Sequence, residues 1–76
     1  MKFTVKQLDT LRMILSALDC NDMDYTDLFT CKILWPHSRL QPNSIENRVK
    51  ALVREGIAKK TAPLHKAPTY VLTIIQ

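Results

Sequence analysis

The sequence predicts an α+β domain in which three helices are followed by a β-hairpin. Three observations carry this. Apolar residues recur at helical spacing in three stretches of the first 55 residues. The only glycine, Gly56, stands where the hydrophobic period changes from that of a helix to that of a strand. Beyond it, two strand-like runs flank a segment bracketed by Pro63 and Pro68.

The first helix begins after Thr4, which with Gln7 fits a capping box: hydroxyl to backbone amide, amide side chain back to the cap. Val5, Leu8, Leu11, Ile14, Leu15 and Leu18 then form one apolar stripe, and Met13 lies off it, partly exposed. The helix ends near Asp19 or Cys20. A second, shorter helix is expected after Asp24 or Thr26, with Leu28, Phe29, Ile33 and Leu34 as its apolar face. "WPHSRLQP" ends it at Trp35, because a residue before proline avoids the helical region. This leaves a connection longer than a tight inter-helical turn, with the Trp35 ring as a lid on the core. The third helix covers residues 42–55. Pro42 suits its first position, or Asn43 caps it with Glu46 closing a box, and Ile45, Val49, Leu52 and Val53 share an arc of about 100°. Gly56 supplies a left-handed cap, with Ile57 packing back behind it. "IAKKT" and "TYVLTII" are the hairpin strands, and "APLHKAP" is their stiff basic tip.

At 76 residues the chain is one domain, 1–76, with one modest core and no volume for a deep shielded site. It has no apolar run long enough for a bilayer and no signal-peptide pattern at the start, so a cytoplasmic protein without a membrane partner is expected. Cys20 and Cys31 are then free thiols, and with His37 and His65 they match no zinc spacing; neither metal nor cofactor is expected. One glycine rules out a glycine-rich phosphate loop, and no catalytic constellation has convincing spacing, so an enzyme is not expected. The net charge of +4 is unevenly spread. Residues 1–31 hold three basic and five acidic side chains, residues 32–76 eight and two, so the positive excess lies in the second half. Such asymmetry suits a polyanionic partner met by one face.

"NSIENRVKALVREGI" resembles the recognition helix and first wing strand of MarR-like and ArsR-like bacterial DNA-binding domains. Those commonly combine a Ser/Thr-Val start, a late leucine, and a glycine followed by an apolar and then charged residues. Here Ser44-Ile45, Leu52 and Gly56-Ile57 take these places, and "TYVLT" looks like the returning wing strand. The sharply motif-like residues are 44–57 and 70–73. The resemblance implies a winged helix-turn-helix and a small bacterial or phage transcriptional regulator that binds double-stranded DNA.

The outer face of the third helix has suitable chemistry. Opposite its apolar arc lie Asn43, Asn47, Lys50 and Arg54, with Ser44, Arg48 and Ala51 on the flank. Asn can pair bidentately with adenine and Arg with guanine in a major groove. Helix-turn-helix docking brings the N-terminal part of this helix nearest the bases, which assigns Asn43, Ser44, Asn47 and Arg48 to base or base-proximal contact and Lys50 and Arg54 to phosphates. Lys59, Lys60, His65 and Lys66 belong to the wing, against the backbone or the minor groove. The alternative is a winged-helix module for protein contact without DNA, an adaptor or inhibitor of a larger complex, with the apolar end "LTIIQ" as its interface or as a homodimer contact. RNA binding needs stacking platforms, and Phe3, Tyr25, Phe29, Trp35 and Tyr70 fall mostly at expected core positions.

Overall fold

Two α-helices, α1 (Val5–Cys20) and α2 (Pro42–Arg54), are joined through a 3-10 helix, Cys31–His37, and followed by an antiparallel pair of strands, β1 (Ala58–Thr61) and β2 (Thr69–Leu72). Among the described residues the fold is therefore α+β, with three helices and a two-stranded sheet. The computed structural model describes residues 2–61 and 67–73. The expected hairpin tip, with Pro63, His65 and Lys66, and the end with Ile74 and Ile75 lie outside the described residues.

Both α-helices have the ends that their sequence dictates. The Thr4 backbone N–H donates to Gln7 Oε1 at 2.8 Å and the Gln7 N–H to Thr4 Oγ1 at 3.1 Å, closing the capping box. α1 stops at a Schellman turn: Met23 N–H reaches Leu18 O at 2.8 Å, and Asp22, at φ 55°, takes the left-handed position. α2 starts with Pro42 in the first turn; Gln41 is its cap residue and Asn43 lies within the helix. It ends in the same motif, with Ile57 N–H on Leu52 O at 2.9 Å, Gly56 N–H on Val53 O at 3.1 Å, and Gly56 at φ 75°. A Cβ at Gly56 would meet nothing within 4 Å, so only the backbone objects to a side chain there. Gly56→Ala is accordingly expected to cost about 1 kcal/mol, read as a lowered urea midpoint. A loss of several kcal/mol would mean that the turn is sterically enclosed.

The segment between α1 and α2 departs from the expected second helix. Asp24 closes a turn instead of capping a helix: Asp27 N–H donates to Asp24 O at 3.0 Å, and Asp24 N–H to Asp27 Oδ2 at 2.8 Å. Phe29 is drawn into a bridge with Tyr70, each N–H donating to the other's carbonyl at 2.8 Å, and the two rings meet at a centroid distance of 6.1 Å. Helix resumes only at Cys31, as a 3-10 turn running through Trp35 and Pro36. The interval between the bridge and the proline is too short to nucleate an α-helix. Because the 3-10 helix reaches His37, the connection to α2 shrinks to residues 38–41. Trp35 lies inside this helix and is 44% exposed, so it is no core lid; Leu34 is the buried residue here.

The core joins α1 (Leu11, Met13, Ile14, Ala17, Leu18), Leu34, α2 (Ile45, Val49, Leu52), Phe29, and the hairpin residues Ile57, Ala58, Tyr70 and Leu72. α1 is thus rotated from the expected stripe. Met13 is buried, whereas Val5, Leu8 and Leu15 are exposed. The arc that faces α2 and the 3-10 helix runs through Thr10, Met13 and Ala17; Thr10 satisfies its buried hydroxyl on Lys6 O at 2.9 Å. In β2, Tyr70 and Leu72 point inward and Val71 is half-buried, the expected alternation. Thr73 fixes the far end, its hydroxyl donating to Gly56 O at 2.7 Å and its N–H to Ile57 O at 3.0 Å. At the other end, where β1 leads on to β2, the Thr61 and Thr69 hydroxyls hydrogen-bond to each other.

Candidate nucleic-acid interface

With Ile45, Val49 and Leu52 buried, the opposite arc of α2 faces water. At 100° per residue, Lys50, Asn43, Arg54, Asn47, Ala51 and Ser44 follow one another over roughly 120°. All are exposed except Ala51, which is half-buried. Two adjoining open depressions extend this arc to either side. One, of about 360 Å³, is lined by Lys6, Leu40, Ser44, Asn47, Arg48, Ala51 and Arg54. The other, of about 460 Å³, is lined by Asn47, Lys50, Val53, Arg54 and Lys60. They share Asn47 and Arg54, and so form a strip from the start of α1 across α2 to β1. Lys6, Arg48, Lys50, Arg54 and Lys60 line it, and no carboxylate among the described residues does.

The strip brings together most of the expected residues and separates a few. Arg48 is half-buried and set toward α1, where it also lines a crevice with Asp9, Thr10, Arg12, Met13 and His37. Its neighbour Asn47 is exposed at the middle of the arc. Lys59 and Lys60 are both exposed, but on opposite faces of the hairpin, and only Lys60, on the same face as Ala58 and Tyr70, lines the strip. Lys50 carries an i,i+4 ion pair with Glu46 at 3.5 Å; both side chains are about half exposed, so the pair is weak and Lys50 is available to a stronger anion. His65 and Lys66 lie outside the described residues. Lys6 is the residue that sequence reasoning missed. It follows the α1 cap closely, and no spacing rule connects it to α2.

On another side of α2, Thr30, Cys31, Lys32, Trp35, Glu46, Ala67, Pro68 and Tyr70 surround a smaller opening of about 240 Å³. Burial pushes the Cys31 thiol above its ordinary value of 9.0, Glu46 adds to the rise, and the Tyr70 hydroxyl and Lys50 oppose it. Burial likewise raises the Tyr70 hydroxyl, followed by the charges of Cys31 and Glu46. The rise disfavours the thiolate, the nucleophilic form of the residue. Among the described residues, no three His, Cys, Asp or Glu side chains gather where a metal could sit, and no helix is long and apolar enough to cross a membrane. Of the aromatic residues, Phe29 and Tyr70 are buried as expected, but Tyr25 and Trp35 are both more than 40% exposed.

No protein-family model, curated protein or solved structure matches this chain.

Proposed function

We propose that this chain is a winged helix-turn-helix domain that binds double-stranded DNA sequence-specifically, as a small transcriptional regulator, with α2 in the major groove and the β1–β2 hairpin as the wing. The observation that carries the reading is the strip across α2: five cationic side chains and no carboxylate among the described residues, lined at its middle by exposed Asn47 and Ser44, with Asn43 exposed on the same arc of the helix. Phosphates supply the affinity of such an interface, and side chains able to pair with base edges supply the selectivity. The topology supports it. A helix, a bridge onto the last strand, two helices joined by residues 38–41, and an antiparallel hairpin follow in the order of a winged helix-turn-helix. The short connection removes the one feature that set the sequence apart from a tight helix-turn-helix.

In this arrangement Asn43, Ser44 and Asn47 face the groove floor. Lys50 and Arg54 lie along one strand's phosphates, and Arg48 and Lys6 reach the backbone on the α1 side. Lys60 reaches it from the wing, and Lys59 projects from the opposite face of the hairpin.

The test is fluorescence anisotropy against labelled duplexes of random and selected sequence over a salt series. Binding that steepens as salt falls is expected, and tighter binding to sequences recovered by selection. Lys6→Ala and Lys60→Ala should each weaken all duplexes about equally and flatten log K against log salt by about 0.9 for each phosphate no longer neutralised. An unchanged slope in both would take the strip's two ends off the DNA. No duplex affinity at low salt, together with tight binding to another protein, would replace this reading with the protein-contact module.

A further inference from the structure

The crevice beside Arg48 gathers charge from three elements. Asp9, Arg12, Met13 and Ser16 fall at i, i+3, i+4 and i+7 and so share one side of α1. With them, His37 and Ser38 at the end of the 3-10 helix, Leu40, and Arg48 of α2 line a volume of about 360 Å³. These charges are not paired among themselves. Lys50–Glu46 is the only ion pair among the described residues, so Asp9 pairs with neither Arg12 nor Arg48. Neither guanidinium has a hydrogen-bond partner among the described residues. Two unpartnered guanidinium groups on one crevice suit an anion, above all one with several oxygens. The Ser38 hydroxyl accepts the Leu40 N–H at 3.0 Å, which leaves its hydrogen to donate, and His37 supplies a ring N–H.

We propose that this crevice binds a small phosphomonoester that also carries hydroxyl groups, a sugar phosphate in kind. Arg12 and Arg48 take the phosphate, whose charge of about −1.5 to −2 they balance, with His37 and Ser38 as further donors. Asp9 decides the rest of the ligand. An ionised carboxylate only accepts hydrogen bonds, and it meets a bare phosphate as a like charge. A sugar hydroxyl donates to it. The DNA backbone lacks the 2′-hydroxyl that could do so, so Asp9 favours the small ester over a second stretch of DNA. Arg48 lines both this crevice and the basic strip. A ligand that engages it therefore withdraws a cation from DNA, and each partner weakens the other by the same factor. That coupling rests on the DNA reading above; the phosphate site does not.

NMR titration of the full chain with ribose 5-phosphate, inorganic phosphate and ribose tests the site. Ribose 5-phosphate should shift Arg12, His37, Ser38 and Arg48 saturably, with a dissociation constant on the order of 0.1–1 mM for so open a crevice. Inorganic phosphate should bind more weakly, and ribose not measurably. Arg12→Ala, at an exposed position, should weaken ribose 5-phosphate about tenfold. Asp9→Ala should remove its advantage over inorganic phosphate. No saturation by about 10 mM overturns the proposal, as does binding that Arg12→Ala leaves unaltered. Equal affinity for inorganic phosphate in the unaltered chain overturns it in favour of an unselective anion site. If ribose 5-phosphate does not bind and Arg12→Ala flattens the salt dependence of duplex binding, the crevice seats a DNA phosphate instead. Saturating ribose 5-phosphate should lower duplex affinity about fivefold or more, and an unmoved affinity overturns the sharing of Arg48. Failure of the DNA reading shows separately, as absent duplex binding with the ribose 5-phosphate titration unchanged.

Discussion

Leu52→Ala is expected to remove roughly 2–5 kcal/mol of folding stability. Leu52 is 1% exposed and belongs to the core shared by α1, α2 and the hairpin. Its carbonyl also receives the Ile57 N–H that closes the α2 cap, so truncation leaves a cavity under the turn that launches β1. A domain of this length has a total stability on the order of 4–11 kcal/mol, and the loss is a large share of it. Urea denaturation followed by circular dichroism checks the expectation. A midpoint close to that of the unaltered chain would mean that α2 packs by another face, and the outward arc of Asn43, Asn47 and Arg54 would go with it.

Asn47→Ala should cost about 1–3 kcal/mol on the preferred duplex, a loss of roughly 5- to 150-fold, and much less on a scrambled one. The residue is exposed at the centre of the strip and off the buried arc, so the fold should be untouched. Arg48→Ala should behave differently. Arg48 is half-buried on the α1 side, where it can reach phosphate more readily than a base edge, and its removal should weaken both duplexes alike. Paired titrations on each folded variant separate the two patterns. Equal losses for Asn47→Ala on both duplexes would reduce it to a backbone contact. No loss on either would take α2 out of the binding surface and favour a protein partner.

The parts of this fold that are legible in the sequence are those decided within a few residues. The Thr4–Gln7 box and the Gly56 turn are local bonds between near neighbours, and they form as the side chains dictate. α2 has a single narrow apolar arc, so the spacing of Ile45, Val49 and Leu52 is enough to assign the arc that faces water. α1 carries apolar residues round more than half its circumference, and periodicity alone does not say which of them face the core. Met13 is therefore buried where Leu15 was expected, and Leu15 is exposed in its place. The expected second helix gives way for a longer-range reason. Phe29 has a suitable position on a helical face, but its backbone is claimed by Tyr70, and a pairing so distant leaves no local trace. Lys6 escapes notice for the same reason: only the packing of α1 against α2 makes it a neighbour of Arg48.

The Phe29–Tyr70 bridge also sets the order in which the chain can fold. The two residues are 41 positions apart, so the pairing closes a long loop whose entropy must be met before it returns anything. The β1–β2 hairpin, four residues to a strand, is marginal in water on its own. It gains support from Phe29 on one edge and from Ile57 and Leu72 in the core, all of which require α1 and α2 to be docked. The helices can therefore form early and locally, whereas the hairpin appears only with the complete core. Synthesis from the N-terminus delivers β2 after α1, α2 and β1, and until it emerges Phe29 lacks the strand that it pairs with. Folding of this unit is thereby coupled to the emergence of β2, and a product cut short before Tyr70 lacks the strand pair and the Phe29 bridge together.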